Sequence, residues 1–216
     1  PSGICADTGS ILGNAIEADL TVTFIGPKRG LYTNEGPDHA GLVVFDSLGV
    51  PYSDAEKVDP NAIKVLEPQK LGKRRKNSYK TSHGHVLVIG GDHGMGGAVI
   101  MASEAALRVG AGLVSVATRI EHSDALLARR PEVMVKGVQD KSDLASLIKR
   151  ATTLVVGPGL GQSEWSKELM RTAIESKLPM IIDADGLNLL AAGNLKIEFS
   201  VLTPHPGEAA RLLDNG

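Results

Sequence analysis

From His85 onward the chain alternates short apolar runs with stretches whose apolar positions recur at helical spacing. Val86 to Ile89, Leu113 to Ala117, Val133 to Val138, Leu154 to Val156, Met180 to Ile182 and Ser200 to Leu202 each have the length and continuity of a buried strand. Helical patterns fall between most of them. The first runs from Ala98, where Ala98, Ala102, Ala105 and Ala106, with Val99, Ile100, Leu107 and Val109, make a face able to pack tightly on a sheet. Others cover Ser123 to Arg129, Leu144 to Arg150 and Glu164 to Ser176. In the last, Trp165, Leu169, Ala173 and Ile174 share one face and Ser163 is placed to cap. This alternation predicts an α/β fold with a doubly wound, mostly parallel sheet and helices on both faces. Ligands of such folds bind beyond the carboxyl ends of the strands.

Upstream, Ala18 to Phe24 and Gly41 to Phe45 are predicted strands, joined by a loop from Gly26 to Ala40. The opening places Ser2 and Gly3 in a tight turn. Residues 53 to 84 are polar, contain Pro60 and Pro68, and carry a basic run from Lys70 to Lys80. That run has no interleaved aromatics, which favours a solvated linker over a phosphate-attracting patch. The expected organisation is therefore the tail of one α/β domain over 1–52, a linker over 53–80, and a second α/β domain over 81–216.

Composition narrows the partners. At 216 residues the chain can build one sizeable core or two smaller ones. A net charge of -2 supplies no electrostatic reason for a nucleic-acid or anionic-membrane partner, and no apolar run approaches a membrane span. A small-molecule partner is expected. Cys5 is the only cysteine, which rules out an internal disulfide and favours a reducing, cytoplasmic setting. The opening on Pro1 and the close on Asn215-Gly216 suggest a piece of a longer protein.

The strand ends are dense in glycine, proline and polar residues: GGDHGMGG from Gly90, GPGLG from Gly157, DADGLN from Asp183 and TPHPGE from Thr203. Between Gly94 and Gly97 the backbone is nearly bare at the start of a helix, a place for an anion. Gly157 to Gly161 is expected to turn sharply and present backbone N–H groups to a phosphate or flat ring. If the strand continues through Asp183 and Asp185, their carboxylates point the same way and suit Mg²⁺ or a polarised hydroxyl. Alternatively Asp185 caps the following helix and Asp183 bonds to backbone. His205, just before a helix opening on Pro206 with Glu208 in its first turn, is read as a substrate contact. His83, His85 and His93 lack metal-ligand spacing, so no zinc site is expected. There is no GxxxxGK[ST] and no GxSxG. Gly94-Met95-Gly96 is followed by Val99 where a dinucleotide fingerprint prefers glycine or alanine, which leaves a dehydrogenase as a secondary reading.

In order and spacing, HVLVIGGDHGMGGA, AALRVGAGLV, GPGLG, DADGLNLL and TPHPGEAARLL closely resemble the ADP/ATP-dependent NAD(P)H-hydrate dehydratases of the ribokinase-like superfamily, from about Lys73 to Gly216. Residues 1 to about 52 resemble the end of an NAD(P)H-hydrate epimerase domain, through PSG with ADTG following, the ADLTVTF strand, and Lys28, Gly30 and Leu31. The resemblance implies phosphorylation of the ring hydroxyl of hydrated NADH or NADPH (NADHX, NADPHX), then loss of phosphate, with ADP or ATP as donor and Mg²⁺. It implies that Ala98, Gly159 or Gly161, and His205, Pro206, Gly207, Glu208, Ala209, Ala210 and Arg211 line the hydrated-nicotinamide site. Asp183, Asp185 and Asn188 would form its polar floor. Ser2 matches an epimerase position associated with K⁺. A homo-oligomer is implied as well. The family's GxGD segment is expected beyond Gly216 and the epimerase substrate aspartate before Pro1, so the 216 residues alone are expected to catalyse little. The competing readings are another ribokinase-like small-molecule kinase and a non-catalytic binding module.

Overall fold

The computed structural model describes residues 1–51, 72–193 and 195–213. They form two compact units, Pro1–Gly72 and Lys73–Gly216. Pro60, Pro68 and the first residues of the basic run lie outside the described residues.

In the first unit β1 (Leu20–Phe24) and β2 (Leu42–Asp46) pair in parallel, with Thr21 opposite Val43 and Thr23 opposite Phe45. The connection is not all loop as expected. It contains the short helix α1 (Gly36–Ala40), with a proline in its first turn where no donor is lost. Ser2 and Gly3 do form a turn, and Gly3 adopts a φ of 92°.

The second unit is a six-stranded sheet of β3 (His85–Ile89), β4 (Leu113–Thr118), β5 (Met134–Gly137), β6 (Thr153–Val156), β7 (Met180–Ile182) and β8 (Ser200–Leu202). Every pairing is parallel, in the order β5-β4-β3-β6-β7-β8. Between the strands run α2 (Gly96–Arg108), α3 (Ser123–Arg129), α4 (Lys141–Ile148), α5 (Glu164–Glu175) and α6 (Asp185–Gly193), and α7 (Pro206–Leu213) follows the last.

The continuous apolar runs are explained by two cores. Adjacent residues of a strand face opposite ways. Leu87 and Ile89 join Leu154, Val156, Met180 and Ile182 under α4, α5 and α6. Val88 joins Val114 and Val116 under Val99 and Ala106 of α2 and Leu126 of α3. Both layers bury apolar side chains of β3, and the strand's one polar residue, His85, is bonded to the Arg150 carbonyl and the Ser115 hydroxyl.

Two helix starts are fixed by local capping. Asp140 accepts from the N–H groups of Ser142 and Asp143 at 2.8 and 3.2 Å, which starts α4 at Lys141 rather than at Leu144. The Ser163 hydroxyl accepts from the Ser166 N–H at the start of α5. From the basic run, the Arg74 guanidinium donates to the Gly110 carbonyl at 2.6 Å, just past the C-terminus of α2.

Strands β4 and β5 lie on one side of β3, and β6 to β8 on the other. The order therefore reverses between β3 and β6, and the turns after these two strands flank the point where open α/β sheets bind ligands.

Candidate active site

Across that reversal the turns are bonded to each other. The Gly91 N–H donates to the Pro158 carbonyl at 3.0 Å and the Asp92 N–H to the Gly159 carbonyl at 2.7 Å. A Cβ added to Gly157 would lie 1.8 Å from the Asp183 carbonyl oxygen, and one added to Gly159 would lie 2.6 Å from that of Met95. These glycines exist because backbone packs on backbone. The expectation that the 157–161 turn offers its N–H groups to a ligand is corrected for three of them. Gly157 donates to the Ile89 carbonyl at 3.1 Å, Leu160 to the Gly157 carbonyl at 3.0 Å, and Gly161 to the Asp185 carboxylate at 2.9 Å.

The paired-carboxylate reading is also corrected. Strand β7 stops at Ile182, and Ala184 turns the chain with a φ of 48°. Asp183 is thereby sent to the Thr203 hydroxyl, from which it accepts at 2.8 Å, while Asp185 becomes the first residue of α6 and takes the Gly161 N–H. Among the described residues no group of three or more His, Cys, Asp or Glu side chains is placed to hold a metal. Asp183 and Asp185, each engaged by a different protein donor, do not form a paired carboxylate site for Mg²⁺. Asn188 accepts from Arg211 Nε at 2.9 Å, which ties α6 to α7.

His205 sits at the N-cap of α7. Its Nδ1 accepts from the Gly207 N–H at 3.1 Å, and its own N–H donates to the buried Glu208 carboxylate at 3.0 Å. This is a variant of a capping box, with histidine in the place usual for serine or threonine and its ring bonded to the N–H of the second helical residue rather than the third. An accepting Nδ1 puts the proton of the neutral ring on Nε2, which stands 3.4 Å from Glu208 Oε1. The ring remains 64% exposed.

Motif spacing missed the cluster beside the turns. Asp92 is 8% exposed. Its carboxylate accepts from Arg119 Nε at 2.8 Å and from the Ser163 hydroxyl at 2.9 Å. The guanidinium of Arg119 lies over the Trp165 ring, 3.9 Å from its centroid, and Trp165 Nε1 donates to the Val138 carbonyl at 3.0 Å. Burial pushes the Asp92 pKa up. The bonds from Arg119, Ser163 and the His93 N–H outweigh it and hold the carboxyl below its ordinary value. His122 Nε2 meets the Asp92 carbonyl at 3.1 Å, and His93 pairs with Glu121 at 2.8 Å. Asp92 and Arg119 are 27 residues apart, and no periodicity in the sequence links them.

The family model described as NAD(P)H-hydrate dehydratase matches residues 86–215. The chain belongs to the NAD(P)H-hydrate dehydratase family. A second model, the YjeF-related protein N-terminus, matches residues 1–30. The chain is 50% identical to a bifunctional NAD(P)H-hydrate repair enzyme of Coxiella burnetii and 46% identical to one of Escherichia coli, over 99% of its own length in both cases. It spans 44% and 42% of those two proteins, less than half of each. A ribokinase-like superfamily protein of Enterococcus faecalis superposes with a TM-score of 0.62 at 34% identity, over 65% of this chain and 51% of that one. An ADP/ATP-dependent NAD(P)H-hydrate dehydratase of Bacillus subtilis, co-crystallized with ATP/Mg²⁺, superposes with a TM-score of 0.56 at 26% identity, over 67% and 52%.

In this dehydratase-family chain several of the residues singled out by motif meet in pairs. Ala98 faces Gly159, where an added Cβ would lie 3.1 Å from the alanine methyl. Gly161 bonds Asp185, Asp183 backs onto Gly157, and Asn188 bonds Arg211. Pro206, Gly207 and Ala210 are exposed at the start and outer face of α7. The Ala209 N–H donates to the His205 carbonyl at 2.9 Å. Ser2 belongs to the other unit, where its carbonyl accepts from the Ile16 N–H at 3.1 Å. That unit also holds a cavity of about 410 Å³ walled in part by Cys5, Thr23, Phe24 and Lys28. No helix among the described residues is long and apolar enough to cross a membrane.

Proposed function

We propose that this chain supplies the hydrated-nicotinamide face of a nucleotide-dependent NAD(P)H-hydrate dehydratase. In that reaction the hydroxyl on the saturated ring carbon of NADHX or NADPHX is phosphorylated and the phosphate then leaves. Hydroxide is a poor leaving group and phosphate a good one. The ring nitrogen pushes electrons toward the breaking bond, and loss of the neighbouring proton restores the dihydronicotinamide.

The observation that carries the reading is the meeting of Ala98 with Gly159 beside the strand-order reversal. Both residues are small and in contact, so the surface they share presents backbone rather than bulky side chains, against which a flat ring could lie. Ala98, Gly159 and Gly161 would form one wall, and His205 to Arg211, on α7 and its cap, the other. Asp183, Asp185 and Asn188 would act beneath by holding the turns, since their observed bonds are to protein groups. ADP or ATP would enter with Mg²⁺ on its phosphates. Ser2 is proposed to hold K⁺ in an epimerase part, on the PSG motif alone. We further assign the protein to the cytoplasm and to a homo-oligomer.

The test uses the full-length gene product with hydrated NADH or NADPH, Mg²⁺ and either ADP or ATP. Return of dihydronicotinamide absorbance with release of inorganic phosphate is expected. A stable phosphorylated product would instead mark a small-molecule kinase, and binding without turnover a non-catalytic module.

A further inference from the structure

We propose that Asp92 is a positioning residue for the substrate cleft: its carboxylate, held between Arg119 and Ser163, sets the spacing between the first turn of α2 and the 157–161 turn. The proposal rests on the dehydratase reading, because that cleft is where the hydrated ring is placed.

A carboxylate this buried needs partners, and each partner here comes from a different part of the sheet. Arg119 stands just past the end of β4 and Ser163 at the N-cap of α5. Arg119 is itself fixed against Trp165, which is tied to the residue after β5 through the Val138 carbonyl. The backbone of Asp92 completes the brace. Its N–H goes to Gly159, and its carbonyl accepts from Met95 N–H at 2.9 Å and meets His122 Nε2 at 3.1 Å. One residue thus joins the turns after β3 and β6 to the ends of β4 and β5.

Both oxygens of the Asp92 carboxylate are taken up by protein donors. It acts through Gly159, Gly161 and Met95: an added Cβ on Gly161 would lie 3.1 Å from Asp92 Oδ2 and 3.1 Å from Met95 Cε. The contact between Ala98 and Gly159 is therefore held by a strut behind it. Such a strut governs how well the ring fits before reaction, so its loss weakens substrate binding more than the chemical step.

The test compares wild type, Asp92→Asn and Ser163→Ala in the full-length gene product, measuring kcat, KM for the hydrated dinucleotide and melting temperature. Asn keeps the shape and the backbone bonds but lacks the charge. It is expected to raise KM about tenfold with kcat within about threefold. Ser163→Ala leaves the ion pair in place and is expected to raise KM severalfold. An Asp92→Asn protein that melts lower but keeps wild-type KM overturns the proposal, as does a loss confined to kcat. Should Asp92→Asn fail to fold, Ser163→Ala decides by the same criterion. A wild type without turnover overturns the dehydratase reading and this proposal with it, whereas turnover with unshifted KM in the variants overturns the strut alone.

Discussion

The backbone N–H of Gly161 donates to the carboxylate of Asp185 at 2.9 Å, across 24 residues of sequence. The bond joins the turn after β6 to the first turn of α6 and places a negative side chain where a helix favours one. Removing it is expected to loosen both. Asp185→Ala should lower unfolding free energy by about 1.5–3 kcal/mol, as for a hydrogen bond to a charged group, while Asp185→Asn retains an acceptor and loses less. Urea unfolding midpoints check this. An alanine variant as stable as wild type would refute it.

Glycine substitutions should separate by sign. Gly157 has a φ of 123°, and a methyl there would meet the Asp183 carbonyl, so Gly157→Ala is expected to cost about 3 kcal/mol or to prevent folding. Gly97, in the first turn of α2, has nothing within 4 Å of an added Cβ. Gly97→Ala is expected to stabilise by up to about 1 kcal/mol through helix propensity. Thermal melts of the two variants report the contrast.

Two substitutions at His205 divide capping from substrate contact. Asparagine caps helices well, so His205→Asn is expected to keep wild-type stability, whereas His205→Ala is expected to lose about 1 kcal/mol. If the ring also touches substrate, KM rises in both variants. A KM that follows stability instead would leave His205 a cap only.

Acid should act in two stages. The neutral His85 ring is satisfied when Nδ1 donates to the Arg150 carbonyl at 2.9 Å and Nε2 accepts from the Ser115 hydroxyl at 2.8 Å. Burial lowers its pKa. The unfolded state then binds the extra proton first, so stability falls as pH drops through about 6.5. Asp92 is depressed as well, so the stability it contributes is present above its unfolded pKa near 4 and is lost as pH falls below that. Denaturant midpoints at neutral, mildly acidic and strongly acidic pH should show both falls. His85→Gln is expected to remove the first fall and Asp92→Asn to reduce the second.

Much of the architecture is legible in the chain because it is written locally. Strand β8 occupies Ser200–Leu202 and helix α3 occupies Ser123–Arg129, as their apolar patterns predict. Continuous apolar runs announce strands covered on both faces, and alternation with helices announces parallel pairing. The Ser163 cap could be read the same way, because its partner is three residues away. Asp140 carried an equal signal that the helical spacing at Leu144 obscured.

The sequence by itself determined the α/β class, the parallel alternation and the motifs that mark this family, because strand length, periodicity and capping depend on neighbours a few residues apart. Only the tertiary structure decided what those motifs touch. Asp183 and Asp185 part company because Ala184, not a residue that announces a positive φ, reverses the backbone between them. Gly157 and Gly159 prove to be spaces for the Asp183 and Met95 carbonyls, and Gly161 one for the Asp92 carboxylate. Asp92 finds Arg119 and Ser163 at separations of 27 and 71 residues, which no local pattern encodes. Such contacts follow from the strand order, which sets the turns after β3 and β6 side by side.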